Sequence, residues 1–310
     1  LFVGGALLVI PLFVFGYDDK TTHPALTQEI VKLFNLNFQD LKISDEDAEL
    51  VIQGSIDEDS GTRYMQHFYD PVYNHGLVLG DKEQLAAIGA AFSNPNEYLS
   101  SKNWAQNTAA QTGFFNNFFA GSLTSFFSGE KDFSWDRAIY EYAWMDKKLG
   151  LKALGHTLHL MEDASVPDHT RNDPHPPSLD TSPYESWTKK FTRQNLNLEL
   201  KEKSIVLSDL NSYFDSLAMY SNNNFFSKDT VLLEAYTKPI ILEVRAELIG
   251  GIAYSFGYTT DKTGKIYRLV KIEKKYGNKE QEYSLEDKKD FILSDYWSLL
   301  SKQAVLHGAG

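Results

Sequence analysis

The stretch from Leu158 to His175, LHLMEDASVPDHTRNDPH, constrains this chain more than any other. His159 and Asp163 are four residues apart, so a helix sets them on one face, one turn from each other. Pro167 ends or kinks that helix, and His169 follows just past it. Four of the eight histidines, His156, His159, His169 and His175, fall within these few turns. A neutral imidazole and a carboxylate on one helix face are suitable ligands for zinc. One such histidine alone is more often structural or merely exposed; the spacing is what points to a metal site. The chain has no cysteine. Disulfides, thiolate ligands and a cysteine nucleophile are therefore excluded, and zinc must be held by His, Asp, Glu and a chain terminus.

With 310 residues, 42% of them hydrophobic and 14% aromatic, the chain can bury the core of one large domain or two small ones. The net charge of −12 argues against a surface built for polyanions, although a buried cluster of cations would still accept a single phosphate. Leu1 to Gly16, LFVGGALLVIPLFVFG, is apolar and uncharged and short for a membrane span. It is expected to be the hydrophobic part of an export signal cleaved after Gly16, or a retained membrane anchor.

Helices are expected from Thr22 as N-cap through Phe34, over Asp45–Gln53, Lys82–Phe92, Tyr184–Phe191, Leu207–Tyr220 and Leu232–Phe256. Trp135–Leu149 and Leu151–Asp163 read as two helices, or one broken at Gly150. Gly54–Arg63 and Arg171–Pro183 read as loops, and Asp70-Pro71 as a turn. The phenylalanines between Phe114 and Phe127 suit either core or a lipid-facing surface. Past Tyr258, alternation around Gly277-Asn278 signals a hairpin, and Ser284 with Asp287 fits a capping box for a last helix to Val305. The expected architecture is mostly α, a multi-helix domain over residues 17–257 behind the leader 1–16. A small C-terminal α+β appendage follows over residues 258–310.

Candidate ligands come from separated segments: His23; Asp57, Glu58 and Asp59 ahead of His67; His159, Asp163 and His169; then His175 or a nearby Asp, with Glu185. The segments GSIDED, HFYDP, LHLMEDASVPDH and YESW, in that order, resemble the zinc-dependent phospholipase C and S1/P1 nuclease superfamily. The H-x3-D-x5-H spacing of His159, Asp163 and His169 is its central signature. The resemblance covers about Tyr17 to Phe256. It implies an exported phosphodiester hydrolase, phospholipase C-like, with three zinc ions and with phospholipid favoured over nucleic acid as substrate. An S1/P1-like nuclease and a non-catalytic zinc-stabilised binding protein are the alternatives. Contact with a membrane surface would follow if the phenylalanine run is exposed.

By the same resemblance, Asp59, His67, His159 and Asp163 hold one zinc. His23 and Asp163 hold a second, with the amino group and carbonyl of a mature chain starting at Tyr17. His169 and Glu185 hold the third. Tyr17 stands where the family usually has tryptophan. Thr181 stands where the phospholipase pattern has a histidine four residues before the final Glu; His175 is the favoured replacement, with Asp173 and Asp180 as alternatives. The residues around Asp59 and Tyr64 do not reproduce a choline-binding set. The implied mechanism uses zinc-activated water to attack phosphorus in line, with Asp59 as ligand, base or both. Arg171 is either a phosphate neutraliser or a surface arginine. His156 either fixes a ligand from behind or is a satisfied core residue. His75 is expected to be exposed and His307 to have no role, while Tyr184 and Trp187 pack Glu185 in place.

Overall fold

The long helix that carries His159 and Asp163 is the axis of the molecule. The computed structural model describes residues 17–61, 63–78, 100–112, 132–175, 180–232, 239–274 and 281–310. Helix α5, Lys147–Asp163, starts where the Asp146 carboxylate accepts the N–H groups of Lys148 and Leu149, which satisfies donors that the first turn leaves open. It is buried almost throughout from Gly150 to Asp163. Its buried residues include His156, Thr157, His159, Glu162 and Asp163, each of which needs a polar partner in the interior.

Helix α1 spans Thr22–Asn37, α2 Asp45–Asp57, α3 Ser101–Gln106 and α4 Trp135–Trp144. Helices α6, Pro167–Thr170, α7, Pro183–Thr188, and α8, Leu210–Asn224, follow. The Asp18 carbonyl accepts from Thr21, Thr22 and His23, so α1 is capped at Thr21 and Thr22 is already helical. Ser44 caps α2, whose first turn holds Asp45, Glu46 and Asp47, the sign that a helix dipole favours there. That helix runs through Gly54 to Asp57, past the expected loop boundary. The break between α4 and α5 falls at Met145-Asp146 rather than at Gly150. Gly150 lies inside α5, where a Cβ would sit 2.6 Å from the backbone nitrogen of Tyr142.

Helices α2 and α5 cross on glycine. A Cβ on Gly155 would lie 2.0 Å from the Val51 carbonyl oxygen, and one on Gly54 2.0 Å from that of Lys152. The two backbones are therefore in direct contact, and the crossing sets Asp59, just past α2, beside His159. Gly155→Ala gains up to about 1 kcal/mol of helix propensity but drives the helices apart. We expect a net loss of roughly 2 kcal/mol, read as a lower denaturant midpoint at unchanged slope.

Of the helix expected over Leu232–Phe256, residues 233–238 lie outside the described residues, and from Glu243 on the chain forms strands instead. β1 (Glu243–Ile249) and β2 (Ile252–Thr260) pair antiparallel through Gly250 and Gly251, at φ +58° and +82°. Glycine adopts both values without strain, as a two-residue hairpin turn requires. β3 (Ile266–Lys274) and β4 (Gln281–Ser284) complete a sheet of order β1-β2-β3-β4. Gly277-Asn278, between the paired β3 and β4, lies outside the described residues, as do the leader 1–16, the expected helix Lys82–Phe92 and the run Phe114–Phe127. Among the described residues no helix is long and apolar enough to cross a membrane.

The last helix, α9, spans Phe291–Gly308 and starts later than the expected capping box. Ser284 ends β4, while the Asp287 carboxylate accepts from Lys289 and Ile292. Helix α9 is built into the main core: Trp297 packs edge-on to Tyr17 at 5.9 Å, and the Tyr296 hydroxyl donates to the Leu269 carbonyl of β3. The result is a mostly α fold with a small sheet-plus-helix unit at the C-terminal end.

Candidate metal centre

Six elements and the segments just past them converge on one buried volume. His23 opens α1, Asp59 follows α2, and His67 follows the 3-10 turn Arg63–Gln66. His159 and Asp163 end α5, His169 lies on α6 with His175 just beyond it, and Glu185 lies on α7. All eight are buried. Their ligand atoms form three groups, each within 4.8 Å: His23, His159 and Asp163; Asp59, His67 and His159; His169, His175 and Glu185. Each group can hold a metal ion. Asp163 faces two ways, with Oδ1 3.4 Å from His23 Nε2 and Oδ2 2.9 Å from His67 Nδ1 and 3.4 Å from His159 Nε2.

The rings are aimed from behind. His159 Nδ1–H donates to the Ser55 carbonyl (2.6 Å), His169 Nδ1–H to the His67 carbonyl (3.1 Å) and His175 Nδ1–H to the Asp173 carbonyl (2.8 Å). A carbonyl only accepts, so in each neutral ring the lone pair is left on Nε2, toward the group. His23 Nδ1 is held 2.6 Å from the Glu162 carboxylate, which also accepts from the Thr27 hydroxyl at 2.8 Å. This pattern of outer partners is the one that orients metal-binding imidazoles.

The inward atoms are orphaned. His23 Nε2, His159 Nε2, His169 Nε2, His67 Nδ1, both oxygens of Asp59 and Asp163 and Glu185 Oε1 are buried with no hydrogen-bond partner. Buried polar atoms without partners are rare because each costs free energy. So many converging on one volume fit cations as the missing partners, and the nitrogen and oxygen donor set suits zinc.

Electrostatics follow the same geometry. Burial lowers the His23 pKa, but the Asp163 and Glu162 carboxylates prevail and push it up to about 10. Burial raises Asp163, yet His169, His159 and His23 hold it well below the usual carboxylate range. At Asp59 burial prevails over the same kind of neighbours, and its pKa rises. Without metal, His23 therefore keeps its proton at pH 7. Its ion pairs stabilise the metal-free fold fully below the unfolded value of about 6.5, and that contribution is lost as pH rises through about 10. Zinc affinity has the opposite slope, because the metal displaces that proton. Calorimetry at pH 7 in buffers of different ionisation enthalpy is expected to show at least one proton released on zinc binding. Binding without release would contradict this arrangement.

The structure brings together all the expected side-chain ligands, with Tyr17 beside them, its ring 5.6 Å from that of His23. The Tyr17 hydroxyl bonds to Ser165 and Tyr184, at 3.1 and 2.9 Å. Asp57, Glu58 and Asp59 separate: Asp57 pairs with Gln53 and Lys152 outside, Glu58 with Arg63 inside, and Asp59 alone joins the group. Thr181 is exposed, whereas His175 Nε2 lies 2.8 Å from Glu185. Asp173 is spent on the Asp229 N–H and Asp180 on Lys228.

Arg171 meets neither expectation. It is fully buried, donating to the Thr230 hydroxyl and the Asn222 carbonyl. His75 is half-buried, and His307 is buried beside Ser216. His156 touches Glu58, and burial lowers its pKa to about 4. Trp187 packs on Phe191. Sequence reading missed Glu162, the Ser55 carbonyl and Asp168. Glu162, adjacent to Asp163, carried a signal, since a second acid beside a ligand in a buried helix must pair. Asp168 is pushed up to about 7 by burial, with Asp173 and Glu185 adding to the rise against His175.

No family model matches the chain, and no curated protein matches it. Among solved structures, the alpha toxin from Clostridium absonum is similar over 66% of this chain and 52% of its own, at 14% identity and a TM-score of 0.38. The alpha-toxin from an avian strain of Clostridium perfringens is similar over 66% and 53%, at 16% identity and a TM-score of 0.36. The chain thus spans about half the length of these two toxins.

Proposed function

We propose that this protein is a zinc-dependent phosphodiester hydrolase of the phospholipase C type. The observation that carries the proposal is the convergence of orphaned, fully buried nitrogen and oxygen atoms in three groups. Asp59, His67, His159 and Asp163 hold one zinc. His23 and Asp163 hold a second, together with the amino group and carbonyl of Tyr17 when the mature chain starts there. His169, His175 and Glu185 hold the third. His175 beside Glu185 supports a complete set despite Thr181, which weakens the case for a non-catalytic binding protein.

Bound there, zinc supplies Lewis-acid polarisation of phosphoryl oxygens and water activation near neutral pH. The chain's own residues do the rest. Asp163, with Oδ1 toward His23 and Oδ2 toward His67 and His159, and His159, a member of two of the groups, fix the first two sites relative to each other. Asp59, whose two oxygens have no hydrogen-bond partner and so can hold metal with one and act as base with the other, takes the proton of the water that attacks phosphorus. The bond to the leaving oxygen breaks, and that oxygen takes up the proton and departs as an alcohol. Phospholipid is favoured over long nucleic acid by the net charge of −12.

The test uses the zinc-reconstituted protein on phosphatidylcholine vesicles, vesicles of anionic phospholipid and single-stranded DNA. Zinc-dependent release of phosphomonoester from a vesicle, with little turnover of DNA, supports the proposal. Faster DNA cleavage would make it a nuclease. Tight zinc without turnover of any of them, or of a small chromogenic phosphodiester, would make it a binding protein.

A further inference from the structure

The edge of the C-terminal sheet has features that the metal site does not use. β1 is the terminal strand, paired with β2 on one side only among the described residues. Its register with β2 is unbroken from Glu243 to Ile249. It contains no proline, no lysine and no bulge, three of the devices that blunt an edge, and its charged residues, Glu243, Arg245 and Glu247, carry both signs. Val244, Ala246 and Leu248 share one face and are all exposed, Leu248 at 77%. Ile240 and Leu242, just before the strand, are exposed as well.

We propose that β1 pairs antiparallel with β1 of a second copy of this chain about a two-fold axis through Ala246, joining two four-stranded sheets into one of eight strands. The charge pattern selects both the partner and the register. An axis perpendicular to the sheet pairs only residues of the same face. Centred on Ala246, it sets Arg245 opposite the partner's Glu247 twice over and Val244 opposite the partner's Leu248 twice over. Shifted one way by two residues, it would set Arg245 on its own copy and Glu243 against Glu247. Shifted the other way, it would set Glu247 on its own copy. Like charges directly opposite destabilise a strand pair, whereas opposite charges and apolar pairs support it. Within the chain, Glu243 already pairs with Arg245 at 2.6 Å and Glu247 with Arg268 at 2.9 Å. The new contacts extend this alternation of charge across the seam. They also give the exposed Val244 and Leu248 side chains a neighbour.

The absence of cysteine from this chain makes the register directly testable in it. Residues directly opposite on antiparallel strands have Cα atoms about 4.5–5.5 Å apart, within disulfide reach. Ala246→Cys should therefore yield a disulfide-linked dimer on mild oxidation. Glu243→Cys should not, because its two copies would stand six residues apart along the strands, about 20 Å. Sedimentation of the unaltered chain should show a concentration-dependent dimer. Leu248→Lys, at an exposed position that leaves the monomer's circular dichroism unchanged, should weaken that dimer at least ten-fold. A monomer at all concentrations, equal cross-linking at both cysteine positions, or a dimer indifferent to Leu248→Lys would each overturn the proposal.

Discussion

Asp163→Asn is expected to remove up to two of the three proposed zinc ions and to lower phosphodiester turnover by more than about 100-fold. Losing a partner that only orients a ligand typically costs 10–100-fold in affinity or activity, so losing a shared ligand must cost more. The carboxylate has Oδ1 toward His23 and Oδ2 toward His67 and His159, and no other side chain lies in both proposed zinc sets. The amide keeps the shape but loses the charge, and it turns an N–H₂ toward one of the two groups. His175→Ala provides the contrast: it touches only the group with His169 and Glu185, and should lose one zinc. Elemental analysis of the folded variants reads both counts without reference to activity. Three metals retained in Asp163→Asn would sink the shared-carboxylate arrangement, even if turnover fell.

How much of this was legible beforehand depended on the distance over which each relation acts. His159 and Asp163 could be placed on one face from spacing alone, because helical periodicity is local and α5 is long and well capped. His23, His67 and Glu185 come from other elements, and no local rule connects them to α5; only resemblance did. Glu243–Phe256 reads as helix because Leu, Glu, Ala and Arg favour helix by propensity. The same letters over Val244–Leu248 alternate with period two, and Gly250-Gly251 follows as a two-residue turn. Sheet pairing overrode propensity there, and the paired glycines were the signal to weigh. Arg171 shows the opposite limit. Proximity in sequence to a metal site says nothing about side-chain direction, and this guanidinium turns into α8 and the turn after it to serve Asn222 and Thr230.

Glu58→Ala is expected to cost about 3–5 kcal/mol in stability, the range for stranding one member of a buried ion pair. Three consecutive acids, Asp57, Glu58 and Asp59, have three fates, and the middle one has the most partners. Glu58 is wholly buried. It accepts from Arg63 at 2.7 Å and from Trp104 Nε1 at 2.9 Å, and it holds His156 Nδ1. Burial raises its pKa, but Arg63 and His156 prevail and leave it well below the usual carboxylate range. The alanine variant would leave the Arg63 guanidinium inside without its counter-charge, and Trp104 and His156 without their acceptor. Glu58→Gln keeps an acceptor and should lose less. Glu58→Gln with Arg63→Met removes both charges and should recover most of the difference, since the penalty lies in the unpaired charge. Denaturant unfolding of the three variants separates these costs. A double variant no more stable than Glu58→Ala would show that the loss came from packing around Trp104 and Phe133, on whose rings Arg63 lies at 5.0 and 5.4 Å. In either case Asp59 follows Glu58 directly, so each variant that loosens this turn should also release zinc from the group of Asp59, His67 and His159.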